Sequence, residues 1–250
     1  MLSHLDISIK PADNKDRISP FLGSLLHGVI MQTIDPDYAD VLHQNELKPY
    51  SQYVFYDKEQ SGYVWRISSL NEQSREYILE KLVEKLGDSV FISNRNMTLS
   101  ISSKKLSDPV TYKELTEKFF LKEDASRRTT IHFLANSTFK TNGEYQIFPE
   151  IANVYSSLYK KWNSFFSLVS LESAEVLEHL ITHTKLIGYE LRSSKYEMEK
   201  VRINCFRGDI CLHVSGPATL ASIAKILFAF GEYSGIGAKC ALGMGGIKID

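Results

Sequence analysis

Residues 2–10 read LSHLDISIK, in which Leu5, Ile7 and Ile9 alternate with His4, Asp6 and Ser8. A period of two marks a half-buried strand. The next segment has a different period: Ile18, Phe21, Leu22, Leu25, Leu26 and Val29 recur at helical spacing, with Ser19 as a cap and Pro20 in the first turn. Asp35-Pro36 restarts the chain as a second short helix through Tyr38 and Leu42 that ends near His43. Strand-like runs at Tyr50–Tyr56 and Tyr63–Leu70 flank the polar turn 57–62, and Asn71–Leu86 reads as a helix stopped by Gly87. A strand between Asn96 and Ser102 completes the order β-α-β-β-α-β, the ferredoxin-like unit in which helices cover one face of a four-stranded antiparallel sheet.

The same order recurs. After a helical insert near Tyr112–Leu121, a strand at Thr129–Phe139 is followed by helices at Ile151–Val169 and Ala174–Thr184. Strands at Leu186–Tyr196 and Val201–Val214, a helix from Pro217 to Phe230 and a short strand at Gly246–Ile249 close the chain. The expected class is α+β, with two tandem ferredoxin-like (βαββαβ) domains over 1–125 and 126–250. The length of 250 residues and a 43% hydrophobic content suit such a pair. No apolar run nears the roughly 18 residues of a membrane helix, so a cytoplasmic protein without membrane contact is expected. Cys205, Cys211 and Cys240 include no C-x-x-C pair, which argues against a disulfide framework or a zinc knuckle. A formal net charge of −1 excludes a whole-surface basic field for nucleic acid, but not a local one.

Six glycines crowd into GEYSGIGAKCALGMGG at Gly231–Gly246. Glycine permits positive φ and close backbone approach, so Gly235, Gly237, Gly243 and Gly245 could offer bare N–H groups to phosphate, with Lys239 adding charge. Neither G-x-x-x-x-G-K-[ST] nor G-x-G-x-x-G before a helix is present. A tight structural loop and a phosphate cradle both fit the string.

This stretch, continued as GEYSGIGAKCALGMGGIKI, resembles the glycine-rich signature of the RAMP superfamily of CRISPR-associated proteins. Within it the chain is most similar to the repeat-cleaving endoribonuclease that makes guide RNA, in versions accompanying type III (Csm) systems. LLHGVI at Leu25–Ile30, DPDYADVLHQNELKPY at Asp35–Tyr50 and FKTNGEYQIFPE at Phe139–Glu150 agree, and Leu70–Ser126 is the least diagnostic part. The resemblance implies CRISPR repeat RNA as partner and a type III effector complex as a transient one, with the protein a monomer or homodimer. It also implies RNA cleavage without metal or cofactor, in which the 2′-hydroxyl attacks the adjacent phosphate to leave 2′,3′-cyclic phosphate and 5′-hydroxyl ends. A non-catalytic RAMP subunit that only binds guide RNA is the alternative.

Such chemistry needs a base, an acid and a group that stabilises the phosphorane. The resemblance assigns the catalytic histidine to His43, and the C-terminal carbonyls of its helix favour an imidazolium there. His27 lies at about 240° on the first helix, whereas that helix's apolar residues centre near about 80°, so it is expected to face away from the core. Related nucleases often carry Tyr in this helix, which leaves open whether His27 or His43 is the base. Lys48 is the expected phosphorane stabiliser.

His179 and His183 sit one turn apart, but Leu180 stands where a zincin needs Glu, so no metal site is expected. His132 and His213 alternate with apolar residues and are expected on a sheet surface or interface. From Lys185 to Arg207, Lys185, Arg192, Lys195, Lys200, Arg202 and Arg207 stand against three glutamates. A hairpin there could lay these cations along an RNA backbone, with Tyr189 and Tyr196 free to stack on bases. Residues 35–80, by contrast, carry nine acids and four bases.

Overall fold

Two antiparallel sheets organise the chain. The computed structural model describes residues 1–19, 21–120, 126–166, 173–198 and 201–250. Pro20, Lys200 and the expected helix ends at Leu121 and Val169 lie outside these.

The first sheet is built from β1 (Ser3–Pro11), β2 (Tyr50–Asp57), β3 (Gly62–Ser69), β4 (Ser89–Ile92) and β5 (Met97–Leu106), in the order β2-β3-β1-β5-β4. Without the edge strand β4 this is the ferredoxin-like order. Helices α1 (Leu22–Thr33), α2 (Pro36–Gln44) and a composite α3 (72–85) complete the lobe, and its core gathers Leu5, Ile7, Leu26, Trp65, Ile78 and Leu99. The alternation expected of residues 2–10 is present, since Leu5, Ile7 and Ile9 are buried while His4, Asp6 and Ser8 are only partly covered.

Local signals behave unevenly. Asp35 caps α2 by accepting from the Asp37 N–H at 2.9 Å, with Pro36 in the first turn. Asn71 caps α3 through the Ser74 N–H at 2.7 Å, and the middle of α3, Arg75–Glu80, widens into a π turn. Ser19 is not the cap of α1. The helix begins at Leu22 after Phe21, with no side-chain cap, and the Ser19 hydroxyl accepts from the Phe21 N–H at 3.3 Å one turn earlier.

After α4 (Tyr112–Phe120), the second sheet uses β6 (Arg128–Ser137), β9 (Thr184–Met198), β10 (Val201–Val214) and β11 (Ile247–Ile249), ordered β11-β6-β10-β9. Helices α5 (Ile151–Phe165), α6 (Ala174–His183) and α7 (Ala218–Ser234) cover it. A small hairpin of β7 (Phe139–Thr141) and β8 (Glu144–Gln146) stands apart, because residue 138 leaves the sheet where a longer β6 was expected.

The lobes share their cores. Tyr112 of α4 stacks on Phe166 with ring centroids 4.4 Å apart and donates to the Leu70 carbonyl at 2.8 Å, while Ala241 packs into the first lobe's core. His4 lies flat on Tyr233 at 4.1 Å, and Ser51 donates to the Tyr233 carbonyl at 2.6 Å. Burial, with Arg66 nearby, pushes His4 down to about 3, so this stack is neutral at pH 7.

The tightest joint is backbone on backbone. Gly243 has φ +97°, and a Cβ built on it would lie 2.6 Å from the Cα of Gly23; the reverse construction gives the same distance. Gly28, five residues further along α1, would meet nothing within 4 Å. Gly23→Ala should therefore destabilise the protein by about 2 kcal/mol or more, whereas Gly28→Ala should stabilise it by up to about 1 kcal/mol through helix propensity. Urea unfolding of the two variants checks this opposition in sign.

Candidate active site between the lobes

The face of α1 that carries Gly23 and His27 is not open to solvent. It is covered by residues 235–246, which cross from the second lobe onto the first, so the expectation that His27 faces away from its own core holds while the exposure implied by it does not. His27 is half-buried. Its Nδ1 shares a hydrogen bond of 2.8 Å with the hydroxyl of Tyr50, itself buried at the start of β2, and Ala241 lines the cleft beside it. Burial above all, then the nearby charges of His43 and Lys48, push His27 down to about 4, against a smaller upward pull from Ala241. At neutral pH the ring is uncharged.

His43 occupies the last turn of α2 and is exposed. Lys48 folds back over the same helix end, its ammonium donating to the carbonyls of Leu42 and Asn45. This is C-terminal capping by a cation, and it leaves one of the three ammonium hydrogens unused by those bonds. Partial burial lowers the Lys48 ammonium below its usual value. The structure thus brings His27, His43 and Lys48, three residues from two helices and a loop, to one end of the first lobe.

Facing them is a cleft of about 570 Å³ lined by His27, Lys48 and Tyr50 from the first lobe and by Lys140, Lys161 and Lys239 from the second. Lys239 is exposed and holds a left-handed conformation with φ +63°. At the cleft, Lys160 of α5 pairs with Glu46 at 2.7 Å, tying the lobes across its edge.

The glycine-rich segment is held from within. Its N–H groups donate inside the protein: Gly235 to the Gly231 carbonyl at 2.8 Å, Gly237 to Ser157 Oγ at 2.8 Å and Gly245 to the Asn136 carbonyl at 2.9 Å. A Cβ on Gly237, whose φ is +92°, would lie 2.3 Å from the Thr138 carbonyl oxygen. The cradle of bare amides expected at Gly235, Gly237 and Gly245 is therefore not what this loop presents. These glycines shape the loop, Gly243 seats it on α1, and Lys239 supplies the charge it shows to the cleft.

The basic hairpin also differs from expectation. In the unbroken register between Val201 and Cys211, Arg192 faces Arg207 directly, Lys195 faces Asn204 and Glu197 faces Arg202. Side chains alternate across a strand, so Arg192 and Arg207 lie on one face of the hairpin and Lys195 and Arg202 on the other. The expected single cationic track is split in two. The Arg192–Arg207 face lines a groove together with Phe55 and Tyr56 of β2, and Arg207 also donates to the Leu134 carbonyl at 2.9 Å. Arg202 lies 3.5 Å from Glu197. Tyr196, expected to be free for stacking, is fully buried and donates to the Leu242 carbonyl at 2.6 Å, whereas Tyr189 is exposed against Phe148. His132 bridges Asp209 and Asp250 at 3.0 and 3.1 Å on the sheet surface.

Sequence reasoning missed Tyr50, Gln52 and Lys161. Gln52 is fully buried, accepts from Trp65 Nε1 at 2.9 Å, and donates to the carbonyls of Gly23 at 2.6 Å and Ala241 at 3.1 Å. Lys161 is 7% exposed, on the apolar stripe of α5 formed by Val154, Leu158 and Trp162. A lysine in such a stripe is itself a signal, because a buried ammonium must be met by acceptors.

Among known proteins, a family model described as CRISPR-associated endoribonuclease Cas6 matches residues 131–247. A Streptococcus thermophilus CRISPR-associated endoribonuclease Cas6 is 31% identical over 224 residues, covering 90% of this chain and 89% of its own. A Mycobacterium tuberculosis counterpart is 29% identical over 230 residues, covering 91% of this chain and 71% of its own. A solved Thermus thermophilus Cas6 superposes with a TM-score of 0.76 at 17% identity over 100% of this chain and 98% of that one, a likeness of fold. On the strength of the streptococcal match across both lobes, the chain belongs to the CRISPR-associated endoribonuclease Cas6 family.

Proposed function

We propose that this protein cleaves CRISPR precursor RNA within its repeats, without metal, by attack of the 2′-hydroxyl on the adjacent phosphate. The products would be guide RNAs with 2′,3′-cyclic phosphate and 5′-hydroxyl ends. The observation that carries this reading is a neutral, half-buried His27 lining a lysine-rich cleft between the lobes, with an exposed His43 near enough to act on its charge.

The environments divide the labour. His27 is held without charge, the state a base needs to take the 2′-proton. His43 stands exposed in the last turn of α2, where it would protonate the 5′-oxygen leaving group. Lys48, with one ammonium hydrogen not used on the helix end, would meet the phosphorane oxygens together with Lys239. A pKa near 4 makes a weak base, but phosphates entering the cleft would offset the positive charges that help depress His27 and bring it closer to neutrality.

The rest of the RNA strand would lie along the junction between the lobes. Arg192 and Arg207 oppose one another directly, with Glu190 3.7 Å from Arg192, and a phosphate backbone laid along this face would meet both cations. Phe55, Tyr56 and Tyr63 border the same groove and would stack on unpaired bases. The sequence's resemblance to type III-associated members supports transient delivery of the product to such an effector complex.

His27→Ala and His43→Ala should each slow single-turnover cleavage of repeat RNA by about 10²–10⁴-fold, with EDTA leaving the parent enzyme unaffected. Full cleavage by both variants, or inhibition by EDTA, would sink the mechanism.

Because His27 must be deprotonated to act, kcat/KM should rise with pH through a limb centred near about 4 and be insensitive to that group above pH 6. That limb should vanish in His27→Ala; a limb near 6.5 in the parent would contradict the role assigned to the buried ring.

Arg192→Ala and Arg207→Ala should each weaken RNA binding and reduce the slope of log K against log salt by about 0.7. Affinity titrations at several salt concentrations decide this, and unchanged slopes would place the RNA elsewhere.

A further inference from the structure

A buried lysine needs an explanation. The Lys161 ammonium, carried into the protein on α5, donates to the carbonyls of Ser234 at 3.1 Å, Gly235 at 2.8 Å and Gly237 at 3.3 Å, and lies 3.1 Å from Cys240 Sγ. Removing an ammonium from water is costly, and an apolar side chain of similar length would pack among Val154, Leu158 and Trp162 without that penalty. What the cation supplies instead is a fixed point on which the peptide planes of the glycine-rich segment converge. Three of its four partners come from the loop or the helix end that launches it, and the fourth begins the short turn Cys240–Leu242.

That turn is what faces His27. Its middle residue, Ala241, lines the cleft beside the imidazole and accepts from Gln52 at 3.1 Å. Its last residue, Leu242, accepts from Tyr196. The turn is thus pinned in the middle by Gln52, at one end by Tyr196 and at the other by Lys161.

We propose that Lys161 is a positioning residue for RNA cleavage: by gathering the carbonyls of the glycine-rich loop onto its ammonium, it holds the 240–242 turn, and through Ala241 the His27 ring, in reacting geometry. Its ammonium is engaged by the loop carbonyls and not by the reacting atoms. A misplacement of about 1 Å at a catalytic group can cost about a hundredfold in rate, so the effect belongs to the chemical step rather than to RNA affinity. This inference rests on His27 acting at the scissile 2′-hydroxyl.

The test is Lys161→Met, which keeps an unbranched side chain, one heavy atom shorter, and removes its charge. Single-turnover cleavage should fall at least tenfold, while the Kd for repeat RNA carrying a 2′-deoxy scissile nucleotide should change less than threefold. The ring ¹⁵N resonances of His27 should shift. Ser157→Ala, which frees the Gly237 N–H from its anchor at 2.8 Å, should act in the same direction more weakly, and it carries the test if Lys161→Met does not fold.

A cleavage rate within twofold of the parent overturns the proposal. So does a parallel fall of rate, affinity and Tm with the His27 resonances unmoved, because that pattern is purely structural. His27→Ala, measured beside these variants, separates the two levels. Parent-like cleavage by His27→Ala refutes the acid–base reading itself, whereas an inactive His27→Ala beside a fully active Lys161→Met refutes only the role given to Lys161.

Discussion

Two residues without side chains set the spacing of the lobes. Gly23 on α1 and Gly243 in the glycine-rich segment approach so closely that a Cβ on either would lie 2.6 Å from the other's Cα. Almost everything at the site depends on that contact. It brings Ala241 onto His27 and lets Gln52, fully buried, reach the Gly23 and Ala241 carbonyls at once. It also puts the Tyr196 hydroxyl against the Leu242 carbonyl. A side chain at either position would wedge the lobes apart and dissolve this network in one step, because its members are satisfied only jointly.

Closing the joint has an electrostatic consequence. The segment that covers α1 shields His27 from water and deepens the effect of His43 and Lys48 on it, so the same packing that joins the lobes keeps the imidazole neutral. Cations then concentrate at the seam in spite of a net charge of −1: Lys48 on one wall, Lys140 and Lys239 on the other. Two further lysines there serve structure. Lys160 is paired with Glu46, and Lys161 is enclosed by carbonyls.

The fold was largely readable because its signals are local. Alternation in residues 2–10, the Asp35-Pro36 start of α2 and the Asn71 cap of α3 each depend on neighbours within one turn or one strand, and the order of elements then selects the ferredoxin-like arrangement. Failures occurred where distant chain segments decide. Strand β4 has four residues, too few for a period to show, and the β7–β8 hairpin exists because residue 138 breaks from the sheet to accept the Ala238 N–H. The face of His27 was legible from helical geometry, but the loop that covers this face lies more than 200 residues away in sequence. Tyr50 was read as a strand residue and nothing more, because its contact with His27 is tertiary. The split of the arginine hairpin was implicit in the parity of Arg192 and Lys195, since positions three apart on a strand take opposite faces.

The His27 environment also constrains how a base could operate there. The Nδ1 of His27 and the Tyr50 hydroxyl share a 2.8 Å hydrogen bond in which the ring's tautomer decides the donor. To receive a 2′-proton at Nε2, as proposed, the neutral ring must be the tautomer that carries its own proton at Nδ1, with the Tyr50 hydroxyl accepting rather than donating. A hydroxyl can make that change by rotation about one bond. Burial, reinforced by Tyr38, raises Tyr50 well above its ordinary value, which keeps the hydroxyl protonated and able to do so. In the proposed reaction the 240–242 turn borders the ring that would take the first proton, so a group that fixes this turn would also fix the geometry of that transfer.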